Sequence, residues 1–118
     1  MTISTTIAGS WKRLNGDNVE LQKRISATRT VTEYGGQKIV IAAGSNDISI
    51  RPAGLTCIRS VYIETDYEIN IELTGVRTAS FDLYADGIFV MMNASLSDVK
   101  ISNRSATPTC NPFSDLSG

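Results

Sequence analysis

The sequence contains no histidine. Histidine is the side chain that most often acts as a general base or metal ligand near neutral pH, so its absence excludes a Ser-His-Asp triad and a Cys-His pair. A glycosidase would need two carboxyl groups, one of them in an environment that raises its pKa. The candidates Glu64, Glu68 and Glu72 instead lie in an open, water-facing polar pattern. We therefore expect no enzymatic activity and no catalytic residue.

Cysteine is scarce as well. Cys57 and Cys110 are too few for a disulfide scaffold and, without histidine, for a four-ligand zinc site. Cys57 falls on the apolar side of the alternation in residues 55–63, which predicts a small buried hydrophobic side chain; the alternative is a disulfide bond to Cys110 in an oxidising compartment. A calcium site formed by Asp66, Asp86 and loop carbonyls is an alternative, but the sequence contains no calcium-loop or phosphate-loop motif. We expect no cofactor and no metal.

Long apolar runs and a strong net charge are also missing. No apolar stretch approaches the length of a membrane span. The net charge of −1 argues against a general electrostatic attraction to nucleic acid or to an anionic membrane. The N-terminal residues lack the basic region and the continuous apolar region of a secretory signal. We therefore expect the newly synthesised protein to be located in a cytoplasm. The chain is nevertheless 42% hydrophobic, which is typical of a folded globular domain.

Alternation of apolar and polar residues is clearest in residues 61–73, VYIETDYEINIEL. A period of two predicts half-buried strands, because successive side chains of a strand point to opposite faces. We expect a hairpin of residues 55–63 and 67–73 with a turn at Thr65-Asp66. The solvent-exposed face of this hairpin would carry Glu64, Glu68 and Glu72.

Further strands are predicted along the rest of the chain. Alternation predicts strands over residues 19–32, 48–50, 81–85 and 99–101, and short apolar runs predict strands over residues 38–43 and 88–92, with a tight turn at Asp86-Gly87. A helix is the alternative for residues 19–27, which are rich in good helix formers. Short strands at this spacing predict an all-β, antiparallel β-sandwich, jelly-roll-like, with about eight strands. We expect an irregular N-terminal arm (1–18), with one short strand in it as the alternative, a sandwich domain (19–104) and a polar C-terminal tail (105–118).

Charge is distributed unevenly. Residues 1–30 carry five basic and two acidic side chains, a net charge of +3, whereas residues 61–98 carry one basic and seven acidic side chains, a net charge of −6. One explanation is that the solvent-exposed faces of the strands differ in the sign of their charge. The alternative is that the basic segment contacts the acidic surface of a neighbouring copy or of another protein. Trp11, beside Lys12 and Arg13, either anchors an interface or packs on its own domain. Three other aromatic side chains fall on apolar positions and are predicted to be in the core: Tyr67, Phe81 and Phe89.

The order of strands and turns in residues 58–107 resembles that of a known protein family. A strand of the VYIETD type and a polar turn precede a strand of the EINIELTG type; the glycine-led strand GIFVMMN and the segment SDVKISNRSATP follow. This order resembles that of small virion structural proteins of tailed bacteriophages. The resemblance implies a β-sandwich that decorates or cements a capsid, or links virion layers, and that is located in the virion after assembly in the host cytoplasm.

Together these observations predict a non-enzymatic homo-oligomer, for example a trimer, that also contacts a phage capsid or another virion protein. The predicted interface pairs one basic and aromatic set with one acidic set: Trp11, Lys12, Arg13, Lys23 and Arg24 with Glu64, Glu68 and Glu72. The alternative function is a carbohydrate-binding β-sandwich module on a fibre or surface. Such a module would use exposed Tyr34, Tyr62 or Tyr84 as stacking platforms.

Overall fold

The computed structural model describes residues 3–31, 34–39, 41, 44, 48–77, 79–103 and 112–117. These residues form eight strands: β1 (Ile3–Asn15), β2 (Asn18–Val31), β3 (Tyr34–Lys38), β4 (Ile48–Ser49), β5 (Ser60–Gly75), β6 (Phe81–Met91), β7 (Leu96–Ser102) and β8 (Phe113–Ser117). Every strand pair is antiparallel. The predicted all-β, antiparallel fold of about eight strands is confirmed. Nowhere in the described ranges is there a helix with the length and apolarity needed to cross a membrane.

The first compact unit, Met1–Val31, is a long β1–β2 hairpin. Its strands pair from Ile3 opposite Val31 to Asn15 opposite Asn18, and Gly16 occupies the turn with a φ of 62°. The prediction of an irregular arm over residues 1–18 is wrong for the described part. The apolar residues of β1 recur every fourth position, which conceals a strand alternation because the positions between them hold threonine and glycine. The structure thus joins residues 19–31 to β1 and not to the predicted sandwich domain.

A β-bulge interrupts this hairpin near its tip. Arg13 pairs with Leu21 and Leu14 pairs with Val19, so Glu20 is an extra residue in β2. Because one inserted residue reverses the facing of everything beyond it, Val19 points to the opposite side from Leu21. An unbroken strand over the predicted range 19–32 would place both residues on one side, so the bulge changes the face of Val19.

The second unit, Thr32–Gly118, is a six-stranded sheet built around β5. β6 follows one edge of β5, while β8 and β7 share the other edge. β3 extends the sheet beyond β8, and β4 extends it beyond β7. β5 makes contacts with three neighbours, so it is the structural centre of the unit.

The predicted turns at Thr65-Asp66 and Asp86-Gly87 are both wrong, because β5 and β6 are continuous strands there. Thr65 pairs with Gly87 and Ile69 pairs with Ala85, so the three residues Asp66–Glu68 face the single residue Asp86. Gly87 has a φ of 85°, a conformation that glycine adopts without steric cost. The turn-like residues therefore form a β-bulge, with three residues of β5 opposite one residue of β6.

The bulge keeps the odd-numbered residues of β5 on one face. Val61, Ile63, Ile69, Ile71 and Leu73 are all buried. The rest of the core cluster comes from the neighbouring strands and loops: Ile41, Ile50, Leu55, Ile58, Leu96, Val99, Ile101 and Leu116. Each such side chain contributes about 1.5–3 kcal/mol when fully buried. This apolar side is the inner face of the sheet, and the even-numbered residues of β5 lie on the outer face.

Several predicted core positions are more exposed than expected. Phe81 is 52% exposed because β6 is an edge strand, and Tyr67 is exposed because it lies in the bulge. Phe89 packs partly against the core, in agreement with the prediction. Cys57 is a free thiol of intermediate exposure, since Ile58 takes the buried position. Cys110, its proposed disulfide partner, lies outside the described residues.

Two further segments also differ from expectation. Gly35 and Gly36 lie inside β3, a strand of which only Lys38 belonged to a predicted strand. In the predicted strand 38–43, Lys38 is the last residue of β3 and Ile41 is fully buried, but residues 40, 42 and 43 lie outside the described residues. The predicted polar tail contains β8, whose Leu116 is buried because β8 inserts between β3 and β5.

Candidate functional site

The β1–β2 hairpin has one apolar face. Residues directly opposite each other in an antiparallel pair share a face, so the register groups seven side chains: Ile3, Ile7, Trp11, Leu21, Ile25, Ala27 and Val31. We call this set the apolar face of the hairpin. Trp11 is 63% exposed, and Ile3 and Ile25 are also exposed. Val31 is buried, and the register also places Thr5, Arg13, Lys23 and Arg29 on this face, so its solvent-exposed part is apolar and basic.

The opposite face of the hairpin is polar over most of its length. It carries serine, threonine and charged residues, and Thr6 Oγ1 lies 3.1 Å from Thr28 Oγ1 across the two strands. Leu14 and Val19 are paired on this face beyond the bulge, and Leu14 is 59% exposed. The hairpin thus has an amphipathic section and a tip with apolar residues on its second face.

The structure divides the predicted basic residues between the two faces. Lys23 is directly opposite Trp11 on the apolar face, whereas Lys12 and Arg24 lie on the polar face. Arg13 Nε lies 3.3 Å from Glu20 Oε2, and both side chains are largely exposed, so this ion pair adds little stability. All five predicted residues lie in the half of the hairpin nearer its turn.

The predicted acidic residues lie on or beside the outer face of β5. Glu64 is flanked by Ile88 of β6 and Phe113 of β8, and Glu72 is flanked by Asp82 of β6 and Lys100 of β7. The third residue, Glu68, is exposed in the bulge. The acidic set thus spans most of the length of β5 and does not form one compact cluster.

A groove lies at the bulge end of this outer face. It has a volume of about 310 Å³ and is lined by Glu64, Thr65, Asp66, Gly87, Ile88 and Phe113. We call it the bulge groove. Ile88 is 64% exposed there, which makes the groove apolar on one side and acidic on the other. Two carboxylates beside exposed apolar surface suit a partner that is both basic and apolar.

Two titratable groups beside this groove, Tyr62 and Asp115, have raised pKa values. The pKa of the Tyr62 hydroxyl is raised because it hydrogen-bonds to Glu64, with further contributions from burial and from the negative charge of Glu64. The Tyr62 ring packs edge-on against Phe113, with ring centroids 6.3 Å apart. Partial burial raises the pKa of the Asp115 carboxyl group, which lies opposite Tyr62. Tyr62 and Phe113 therefore form an ordered wall next to Glu64.

Sequence reasoning missed the apolar half of the bulge groove. Residues 88–92 were predicted as a strand but not as part of an edge strand; β6 lies at the edge of the sheet and leaves Ile88 and Val90 exposed on its outer side. Phe113 was placed in a polar tail. The alternation of Phe113, Asp115 and Ser117 with Ser114 and Leu116 was the available signal, and it covers only five residues.

Within the described ranges, no three histidine, cysteine, aspartate or glutamate side chains are grouped so that they could hold a metal ion. Comparison of the chain with protein-family models, with curated proteins and with solved structures finds no match.

Proposed function

We propose that this chain is a non-enzymatic virion structural protein of a tailed bacteriophage that self-associates and decorates or cements a capsid, or links virion layers. The phage setting rests on the resemblance of residues 58–107. Self-association rests on the hairpin, which is a separate unit with an exposed apolar face. An isolated two-stranded hairpin is marginally stable in water, so strands of 13 and 14 residues need a surface to pack against.

Charge favours the sheet of a second copy as that surface. Residues 1–31 have a net charge of +3, and residues 32–118, with six basic and ten acidic side chains, have a net charge of −4. Contact between two hairpins would bring like charges together, whereas contact between a hairpin and the sheet of the next copy pairs opposite charges. The proposed contact therefore joins different surfaces of the two copies.

The bulge groove is the part of the sheet that fits the hairpin best. Trp11 presents the largest exposed apolar side chain of the hairpin, and Ile88 with Phe113 offers apolar surface in the groove. Lys23, opposite Trp11, would lie near the carboxylates of Glu64 and Asp66. A head-to-tail contact of this kind closes into a ring, such as a trimer, when the rotation between copies permits.

A charge exchange tests this pairing. Lys23→Glu should weaken self-association, Glu64→Lys should weaken it as well, and the double variant should recover part of the loss because the two charges attract again. Sedimentation velocity measures the oligomer in each case. Lys100→Glu is the control, since Lys100 lies beside Glu72, away from the groove. Additive losses in the double variant would contradict the pairing.

The virion role needs its own experiment. Quantitative mass spectrometry of purified phage particles should find the wild-type chain and much less of a Trp11→Ala/Lys12→Glu/Arg13→Glu variant. Equal incorporation of the two chains would remove these residues from the proposed interface. Absence of the wild-type chain from the particles would contradict the virion role itself.

One observation favours the carbohydrate-binding alternative. Tyr34 and Tyr84 are each 59% exposed and lie on the same outer face of the sheet as Tyr62. Exposed aromatic rings can stack on sugar rings. Glycan-array binding that is lost in Tyr84→Ala would support this function, and a stable oligomer that binds no glycan would count against it.

A further inference from the structure

The sheet unit contains a second concavity, and none of the described residues that line it lines the bulge groove. It has a volume of about 400 Å³ and is lined by Cys57, Arg59, Val76, Arg77 and Ser95. We call it the arginine pocket. Its lining comes from the segment before β5, the residues after β5 and the loop before β7. None of these residues takes part in the proposed self-association.

Backbone hydrogen bonds hold the three segments of this pocket together. Ile58 N donates to Leu96 O at 2.8 Å, and Leu96 N donates to Ile58 O at 2.9 Å. Ala94 N donates to Arg59 O at 3.0 Å, and Val76 N donates to Ser95 O at 3.1 Å. The frame of the pocket is therefore fixed by the fold and does not depend on side-chain packing alone.

The burial of Ile58 orients the pocket side chains. Ile58 is fully buried in the core, and in an extended segment the residues on either side of it point the other way. Those residues are Cys57 and Arg59, which both line the pocket and are partly exposed. Cys57 was predicted to take the buried position that Ile58 occupies, so its place in a pocket wall was not predicted.

The charge of the pocket is opposite to that of its surroundings. Among the residues that the structure describes, two guanidinium groups and no carboxylate line it, and the unit that contains it has a net charge of −4. Arg59 Nη1 donates to Ser95 Oγ at 3.4 Å. Among the described residues, neither Arg59 nor Arg77 forms a salt bridge. Both guanidinium groups thus retain donors for a ligand.

From this arrangement we infer that the arginine pocket binds an oxyanion of the phosphate class, either free or as the head of a small monoester. A guanidinium group offers planar, paired N–H donors that match the oxygens of such an anion. The hydroxyl of Ser95 can add a further donor. Cys57 is part of the wall, so its thiol reports whether the pocket is occupied. This inference does not depend on the virion role.

Protection of Cys57 from an uncharged maleimide tests the inference. In a Cys110→Ser background, Cys57 is the only cysteine, and inorganic phosphate should slow its modification several-fold and saturably at constant ionic strength. Arg59→Gln and Arg77→Gln should each abolish this protection. Arg51→Gln should preserve it, because Arg51 is an exposed arginine outside the pocket that donates to Ser97 O. A small phosphate monoester, tested in parallel, distinguishes the two forms of the ligand.

Non-saturating protection, or equal protection in the Arg59→Gln, Arg77→Gln and Arg51→Gln variants, would overturn the inference. Arg59→Lys is the second test if the glutamine variants do not fold, and it should weaken binding because lysine lacks the paired donors. The oligomer mass of the Arg59 variants should equal that of the wild type. A failure of anion binding is therefore distinguishable from a failure of self-association.

Discussion

Trp11 is the residue on which the proposed interface depends most. It is 63% exposed on the apolar face of the hairpin, and Leu14 is 59% exposed on the other face near the tip. Interface anchors are commonly tryptophan, and truncating one costs about 2 kcal/mol or more of binding free energy. We predict that Trp11→Ala weakens self-association by at least that amount and that Leu14→Ala has a much smaller effect. Concentration-dependent sedimentation gives both values, and equal losses would contradict a specific role for the apolar face.

Two adjacent glycines in β3 differ in the space around them. A Cβ atom on Gly35 would lie 2.6 Å from Pro52 Cγ, whereas the nearest atoms to a Cβ on Gly36 are 3.5 Å away. We predict that Gly35→Ala destabilises the fold by about 1–3 kcal/mol, as overpacking typically does. Gly36→Ala should be nearly neutral because it gains only ordinary contacts. Urea unfolding measures the difference, and similar midpoints for the two variants would contradict the packing of Pro52 on β3.

Asp115 should make stability depend on pH. Because burial raises the pKa of its carboxyl group, the folded state binds this proton more tightly than the unfolded state does. The free energy of unfolding should therefore fall as the pH rises from the ordinary aspartate pKa through the raised one. Asp115→Asn should lack this contribution, so the variant should gain stability relative to the wild type over that window. A constant difference between the two proteins at every pH would contradict the effect.

The bulge between β5 and β6 is the element that shapes the candidate site. It places Asp66 beside the groove and keeps the odd-numbered residues of β5 in the core. Gly87 allows it with a φ of 85°, and a Cβ atom added to this glycine would have no other atom within 4 Å. The cost of a side chain at Gly87 therefore comes from the backbone conformation and not from a clash.

A matched pair of substitutions at Gly87 checks this account. Gly87→Ala should cost about 1–2 kcal/mol of stability, because a Cβ atom disfavours the left-handed region. Gly87→Asn should cost less, since asparagine tolerates this region better than alanine does. Thermal and urea unfolding of both variants give the comparison. Equal stability of the alanine variant and the wild type would show that the strand does not require this conformation.

The same bulge explains two errors of sequence-based prediction. Thr65-Asp66 and Asp86-Gly87 both have turn chemistry, and in the structure they lie across from each other in one ladder. Glycine and aspartate favour bulges and turns for the same conformational reasons, so a single sequence does not separate the two outcomes. The predicted strand 19–32 matches β2 apart from its bulge, and the predicted strand 99–101 lies within the longer β7.

At the scale of the whole chain, the division of charge was predictable and the faces that carry it were not. Counting side chains is sufficient to find a basic N-terminal segment and an acidic middle. Whether Lys12 and Lys23 share a face depends on the pairing of β1 with β2, which the sequence analysis did not predict. Ile88 and Phe113 joined the site only because β6 is an edge strand and β8 pairs with β5.

Salt should weaken the proposed contact. The hairpin and the sheet carry net charges of +3 and −4, and attraction between exposed charges is screened over about 10 Å at 0.1 M salt and about 3 Å at 1 M salt. The apolar contact at Trp11 is not screened in this way. Self-association should therefore weaken as the salt concentration rises. It should still be detectable at high salt when the protein concentration is far above the dissociation constant measured at low salt.

The mass of the purified protein by light scattering, at low and at high salt, tests self-association most directly. We predict a mass that is a multiple of 12.8 kDa, such as that of a trimer, at low salt and a shift toward the monomer at high salt. The Trp11→Ala variant should shift toward the monomer already at low salt. A wild-type protein that remains at 12.8 kDa under both conditions would contradict self-association through the hairpin.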